Sequence, residues 1–240
     1  MEPILQLRDI YFRYPSSEKM VLRGLNFEIF PKRRIGIIGA NGEGKTSLLH
    51  ICVGLLSPFK GEIIFKGKGI KREKDLLPLR RSIGLVFQNP EDQLFSPTVL
   101  EDVAFGPLNL GMSKKEAKEI SLWALKEVGL SGFEDRITNK LSGGEKKLLS
   151  LATILAMRPE VMLLDEPTTG LAPSTRLKII NLLKRLKLSL VIVSHDWDFL
   201  FQTTEELFIM RQGKLHRANR EILHAHSHLH PGGDLPHIHE

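Results

Sequence analysis

The stretch "GANGEGKT", residues 39–46, fits the pattern G-x-x-x-x-G-K-[ST]. Glycines at Gly39, Gly42 and Gly44 let backbone N–H groups wrap closely around phosphates. Lys45 is long enough to reach the terminal phosphates, and the Thr46 hydroxyl suits Mg²⁺. A second stretch, "VMLLDEP", residues 161–167, ends an apolar run in two acids. Asp165 suits a direct or indirect hold on Mg²⁺. Glu166 suits polarising an attacking water. Either acid alone would also read as a helix cap or first-turn charge. A third concentration is the closing "HAHSHLHPGGDLPHIHE", with His224, His226, His228, His230, His237 and His239. Alternate side chains of an extended chain share one face, about 7 Å apart. Neutral imidazoles so grouped suit Ni²⁺, Co²⁺, Cu²⁺ or Zn²⁺.

These residues need elements to hold them. "RIGIIG", residues 34–39, reads as a short apolar strand running into the glycines, and "TSLLHICVGLL", residues 46–56, as a helix packed behind it. That order supplies a helix N-terminus to the phosphate loop. "IGLVFQ", "VMLLDE" and "SLVIVSHD" are continuous apolar runs, as expected of central strands covered on both faces. "IYFRY" alternates Ile10, Phe12 and Tyr14, the period of a half-buried strand. In "SKKEAKEISLWALKEVGL" Ser113 and Glu116 form a capping box, Ala117, Ile120, Ala124 and Val128 recur at helical spacing, and Gly129 can end the helix. "ELFIMRQGKLHR" reads as a hairpin turning at Gln212-Gly213. Strands alternating with helices predict an α/β fold around a mainly parallel sheet, with a helical insertion at about residues 89–150.

Composition narrows the setting. The 240 residues carry a net charge of +6, with 42% apolar and 26% charged residues. That is ordinary for a globular protein. Apart from "KGKGIKREK", residues 66–74, the positive charges are scattered, which argues for a solvated surface and against a nucleic-acid partner. The single cysteine, Cys52, excludes an internal disulfide framework and fits a reducing cytoplasm. No signal peptide and no run of membrane-helix length is present in the sequence.

"LSGGEKK", residues 141–147, completes a set. By itself it would read as a Ser-capped helix after a glycine turn. Beside the other motifs, in this order, it resembles the signature motif of ATP-binding-cassette (ABC) ATPases, with Glu145 where Gln is usual. The resemblance spans about residues 4–220. It implies the P-loop ABC ATPase fold, an N-terminal antiparallel β subdomain and a helical subdomain, with the ATPase domain over residues 1–222 and a flexible tail over 223–240. It implies ATP and Mg²⁺ as ligands. ATP would be held by Tyr14, Gly39, Asn41, Gly42, Gly44, Lys45, Thr46 and Ser47. Ser142, Gly143 and Gly144 of a second ATPase chain would meet the γ-phosphate. Thr46, Gln88 and Asp165 would serve Mg²⁺. Glu166, His195 and Gln88 would serve catalysis, His195 as the switch histidine. For Tyr14, stacking on adenine and a place on a core face both stand.

A narrower resemblance lies in "VFQNPEDQLFSPTVLEDVAFGPLNLGMS", "LAMRPEVMLLDEPTTGL" and "SHDWDFL". These are similar to energy-coupling-factor ATPases, nickel and cobalt importers especially. The resemblance implies a transmembrane coupling protein docking near Gln88 and Glu91-Asp92, a substrate-capturing membrane protein, and a peripheral place on the cytoplasmic face of the membrane. Two departures stand out. Ala172 replaces the aspartate of the usual Leu-Asp-Pro, leaving no carboxylate to organise the contact between two nucleotide sites. "PKRRIG" replaces the usual Gly-Glu before the phosphate-loop strand, which implies an altered turn and unaltered chemistry. Other readings stand beside the metal importer: another solute such as a vitamin, a soluble cassette acting on DNA or ribosomes, or a metal-storage or sensor protein. For the tail, a solvated terminus without a role stands beside metal binding.

Overall fold

The structure, a computed structural model, describes residues 2–218. In chain order the strands are β1 (Leu5–Phe12), β2 (Leu22–Ile29), β3 (Arg34–Ile38), β4 (Lys60–Phe65), β5 (Lys68–Gly69), β6 (Ile83–Val86), β7 (Val161–Asp165), β8 (Ser189–Val193), β9 (Glu206–Arg211) and β10 (Lys214–Ala218). The helices are α1 (Lys45–Cys52), α2 (Glu73–Ser82), α3 (Val99–Asn109), α4 (Lys114–Glu127), α5 (Gly143–Ala156), α6 (Pro173–Arg185) and α7 (Trp197–Thr203).

Two sheets form. One is antiparallel in the order β2-β1-β4-β5; the other runs β10-β9-β3-β8-β7-β6 and is parallel except for the β9–β10 hairpin. The continuous apolar runs have a direct cause. Met162 and Leu164 of β7 enter a core shared with α3, α4, α5 and α6, while Val161 and Leu163 enter a second core with the antiparallel sheet and α1. Leu190 and Ile192 of β8 divide from Val191 and Val193 in the same way. Both faces are covered, so these positions stay apolar on either side. Each such side chain stabilises the fold by about 1.5–3 kcal/mol.

Caps fix the helix ends. Ser113 and Glu116 close the capping box of α4, and Ala117, Ile120, Ala124 and Val128 are buried as the spacing predicts. Gly129, at φ 78°, donates to the Lys126 carbonyl and Leu130 to that of Leu125, the hydrogen-bond pair of a Schellman end. The predicted helix over residues 46–56 is shorter than its apolar pattern. It stops at Cys52, because Gly54 (φ 69°) and Leu55 close a second Schellman end on Ile51 and His50. The predicted hairpin turns at Gln212-Gly213, both at positive φ, which matches the twist of the flanking strands. Tyr14 lies past the end of β1, whose register shifts between Leu7 and Ile10, where Asp9 takes φ 49°. In the altered turn before β3, Lys32 takes φ 62° and its N–H donates to Ser189 Oγ at 2.8 Å.

Ala172 is the N-cap of α6 and offers no side-chain acceptor. Ala172→Asp should supply one, worth about 1 kcal/mol. The melting temperature should therefore rise by roughly 2–4 °C. An unchanged or lower melting temperature in differential scanning calorimetry would count against the cap.

Candidate nucleotide site

Four neighbouring parallel strands deliver the chemistry at one edge, their carboxyl ends. β3 runs into residues 39–46, β6 leads to Gln88, β7 ends at Asp165, and β8 leads to Ser194 and His195. Ligands of open α/β sheets bind at that edge. A cleft of about 580 Å³ lies there. Tyr14, Asn41, Gly42, Gly44, Lys45, Thr46, Ser47, Gln88, Asp165, Glu166 and His195 line it, together with Val21 and Thr169.

The loop geometry requires glycine. Gly44 has φ 101°, and a Cβ there would lie 2.8 Å from Val21 Cγ1 and 2.9 Å from Leu22 Cδ2. A Cβ on Gly39 would lie 2.5 Å from the Met210 carbonyl oxygen. Lys45 Nζ donates to the Gly39 and Ala40 carbonyls at 2.7 and 2.9 Å. Burial lowers its pKa, against the raising effect of Glu166, Asp165 and Glu43. Thr46 Oγ1 donates to Asp165 Oδ2 at 2.7 Å. Asp165 Oδ1 is buried without a hydrogen-bond partner. Burial raises the Asp165 pKa and the Glu166 charge adds to it, while Thr46, His50 and Lys45 oppose.

Glu166 has the left-handed backbone angle φ 44°, unusual for a residue with a side chain. Its N–H donates to the Val193 carbonyl at 2.9 Å. Its Oε2 accepts from Thr169 Oγ1 at 2.9 Å and, at longer range, from His195 N at 3.4 Å. Its Oε1 is buried without a hydrogen-bond partner, 3.5 Å from His195 Nε2. His195 Nε2 is also 3.1 Å from Asn41 Oδ1. Arg176 of α6 fixes the segment that carries His195. Its Nε and Nη2 grip both carboxylate oxygens of Asp196 at 2.7 and 3.0 Å, and Nη2 reaches Asp198 at 2.6 Å. Burial pushes the Asp196 pKa up, but the bonds from Arg176 and the Phe199 N–H bring it below the ordinary value.

Tyr14 is 39% exposed and lines the cleft, which takes it off the core face. Its hydroxyl is 2.9 Å from Ser47 Oγ, and its ring meets Phe12 edge-on at 5.0 Å. Ser142, Gly143 and Gly144 are absent from the cleft lining. They open α5, where Ser142 caps the helix and its hydroxyl donates to Glu145 Oε2 at 2.7 Å. Those bonds, from the Ser142 hydroxyl and then its N–H, hold the Glu145 carboxyl below the usual range.

Sequence reasoning missed Lys147. Its ammonium is buried, and it donates to the carbonyls of Gln88 (2.5 Å), Glu166 (3.2 Å) and Phe87 (3.4 Å). Burial lowers its pKa to about 8 despite Asp165 and Glu166. A second lysine after the "SGG" run looks like helix surface, and only the fold shows what it faces. The six tail histidines lie outside the described residues.

A glycine loop before a helix, a lysine folded over it, and a Thr–Asp pair beside a second acid define a P-loop nucleotide-binding protein. The sequence profile of the ABC transporter family matches residues 22–169. The chain belongs to the ABC transporter family and is one of its ATPases. It is 46% identical over 216 residues to the energy-coupling factor transporter ATP-binding protein EcfA of Methanocaldococcus jannaschii, covering 88% of this chain and 77% of that one. The solved structure of CbiO1 from Clostridium perfringens, part of the ABC transporter complex CbiONQ, superposes with a TM-score of 0.82 at 35% identity, over 94% of this chain and 92% of that one. A dimeric post-hydrolysis state of the ATP-binding cassette MJ0796 with ADP and phosphate gives 0.80 at 30% identity, over 89% and 97%. Among the described residues no helix is long and apolar enough to cross a membrane.

Proposed function

We propose that the chain is the ATP-hydrolysing subunit of an energy-coupling-factor type importer of nickel or cobalt, working as a dimer beneath a transmembrane coupling protein and a substrate-capturing membrane protein, on the cytoplasmic face of the membrane. One observation carries the site assignment. Lys45, Thr46, Gln88, Asp165, Glu166 and His195 converge on one cleft, and two buried carboxylate oxygens there have no hydrogen-bond partner among the described residues.

The orphan Oδ1 of Asp165 fits a divalent cation, since a buried acceptor left unpaired costs about 1–3 kcal/mol. Thr46, Asp165 and Gln88 would hold Mg²⁺, which neutralises charge developing on the phosphates. Lys45 and the amides of residues 42–46 hold the terminal phosphates, and Tyr14 stacks on the base. Glu166 takes the proton from the attacking water through Oε1, the oxygen that no protein donor occupies. His195 holds the γ-phosphate, with its ring set by Asn41 and its backbone by Arg176 and Asp196. Ser142, Gly143 and Gly144 act on the partner's ATP, in keeping with their absence from the lining of this chain's own cleft. ATP-dependent uptake by the reconstituted complex, with Ni²⁺, Co²⁺ and a vitamin offered separately, tests the cargo. Vitamin uptake without metal uptake would refute it.

Glu145 sets a charge where the partner's γ-phosphate would sit. Glu145→Gln keeps a capping box and removes the charge. ATP-driven dimerisation should tighten about fivefold, the order of 1 kcal/mol that water-screened charges a few ångströms apart exert. Sedimentation with Mg²⁺ and ATP checks it, and an unchanged dimer constant would mean that the carboxylate does not face phosphate.

For the tail, clustered imidazoles and the resemblance of residues 86–113 to nickel and cobalt importers support metal binding. Removing residues 223–240 should abolish Ni²⁺ binding in calorimetry and leave ATPase activity within about twofold, because Lys45 to His195 complete the phosphate site. In the full chain, binding should weaken as pH falls through about 6.5, where protons compete for the rings. Equal Ni²⁺ binding by both chains would remove the tail's role.

A further inference from the structure

We propose that Lys147 is a positioning residue for hydrolysis: its ammonium pins the backbone of Glu166 and of Gln88, and through them sets the water-activating carboxylate. The proposal rests on the reading of Glu166 given above. Lys147 lies one turn into α5, and its side chain crosses from that helix to the ends of β6 and β7. It is only 4% exposed, and the donors of its ammonium go to three main-chain carbonyls, those of Phe87, Gln88 and Glu166. Among the described residues it makes no hydrogen bond or ion pair with a carboxylate. Its helix neighbour Lys146 pairs instead with Glu91 at 2.5 Å.

What this does for Glu166 follows from the backbone. A non-glycine residue at φ 44° persists only where its surroundings over-determine it. Three bonds do so here: the N–H of Glu166 donates to Val193, and its carbonyl accepts from Lys147 at 3.2 Å and, at longer range, from the Thr169 N–H at 3.4 Å. Between them they set the direction of Cα–Cβ, and so the place of Oε1 and Oε2. Without Lys147 the carbonyl keeps only the longer bond from the Thr169 N–H, and the neighbouring Gln88 carbonyl loses its short bond as well. The phosphate loop has no such dependence, since its lysine bonds within the loop and Thr46 bonds to Asp165. Loss of Lys147 should therefore separate turnover from binding.

The test uses the full chain with Mg²⁺ and ATP. Lys147→Met, similar in length and without donors, should lower kcat roughly 10- to 100-fold, the loss expected of a misplaced reacting group. Its ATP Kd should stay within about threefold, as expected where the lost interaction belongs to the reaction step. Lys147→Arg, which restores donors and charge, should recover part of that kcat and also serves if the methionine variant melts too low to assay. The discriminating measurement is a double-mutant cycle. In a Glu166→Gln background, where the carboxylate is already gone, Lys147→Met should change the residual rate by less than about twofold. Equal losses in both backgrounds, or a kcat of Lys147→Met within twofold of the parent, would overturn the proposal. Failure of the Glu166 reading itself would show separately, as parental turnover by Glu166→Gln alone.

Discussion

Glu166→Gln should bind ATP at least as well as the parent and turn it over about 10²–10⁴-fold more slowly, the range a positioned general base supplies. The two oxygens of Glu166 have different surroundings. Oε2 is held by Thr169 and the main chain at His195. Oε1 is buried, accepts no hydrogen bond among the described residues, and sits 3.5 Å from His195 Nε2. Glutamine keeps the shape and can keep the Thr169 bond, so the fold should survive. It cannot take a proton from water. It also removes a negative charge beside the polyphosphate, so nucleotide repulsion falls. Binding without turnover should accumulate the ATP-bound dimer, visible by size-exclusion chromatography with Mg²⁺ and ATP. Turnover at the parental rate would assign the proton to another group and leave Glu166 a structural cap.

The sequence exposes groups whose chemistry is local and hides those whose chemistry depends on the fold. "GANGEGKT" announces itself because glycines, lysine and threonine act within eight residues. "VMLLDEP" does so because two acids end an uninterrupted apolar run, and that run follows from burial on both faces of β7. The α4 helix is legible to its last residue, since its caps are side chains and a glycine within the segment. Lys147 is not legible: nothing near it in the chain marks three carbonyls delivered by β6 and β7. The same holds for Arg176, whose partners Asp196 and Asp198 lie twenty and more residues away at the start of α7. Helix α2 is hidden by its own composition, with charges clustered at its ends and Pro78 inside. Tyr14 leaves two readings open, and the fold decides against the core face. Its period-two spacing with Ile10 and Phe12 is real in sequence, but the strand ends at Phe12 and the ring turns to the cleft.

Asp165→Asn should give a protein that is more stable without ligand and nearly inactive with it. Asp165 is 3% exposed, and its Oδ1 has no partner. Burial and the neighbouring Glu166 charge raise its folded pKa above the ordinary 3.8. The sign of the linkage follows. An acid whose pKa is raised on folding favours the fold while protonated, and that contribution is lost as pH climbs through the raised value. At neutral pH the ionised carboxylate therefore works against the fold. Asparagine removes the charge at nearly constant shape, so the ligand-free variant should melt a few degrees higher, at roughly 2–4 °C per kcal/mol for a chain of this size. The gap should shrink as pH falls toward the carboxylate range. Ligand reverses the order. At a hundredfold excess over Kd, Mg²⁺ with ATP stabilises the parent by about 2.7 kcal/mol. The variant should gain far less, because it lacks the carboxylate that fits the cation, and its kcat/KM should fall at least a hundredfold, as for loss of a charge-stabilising group. The two melting curves should thus cross between the free and the loaded protein. A variant that melts below the parent when free, and gains equally from Mg²⁺ with ATP, would show that the Asp165 charge serves the fold and not the metal. The crossing is the physical mark of a functional site, where a buried charge is kept at the expense of the empty protein because the loaded one needs it.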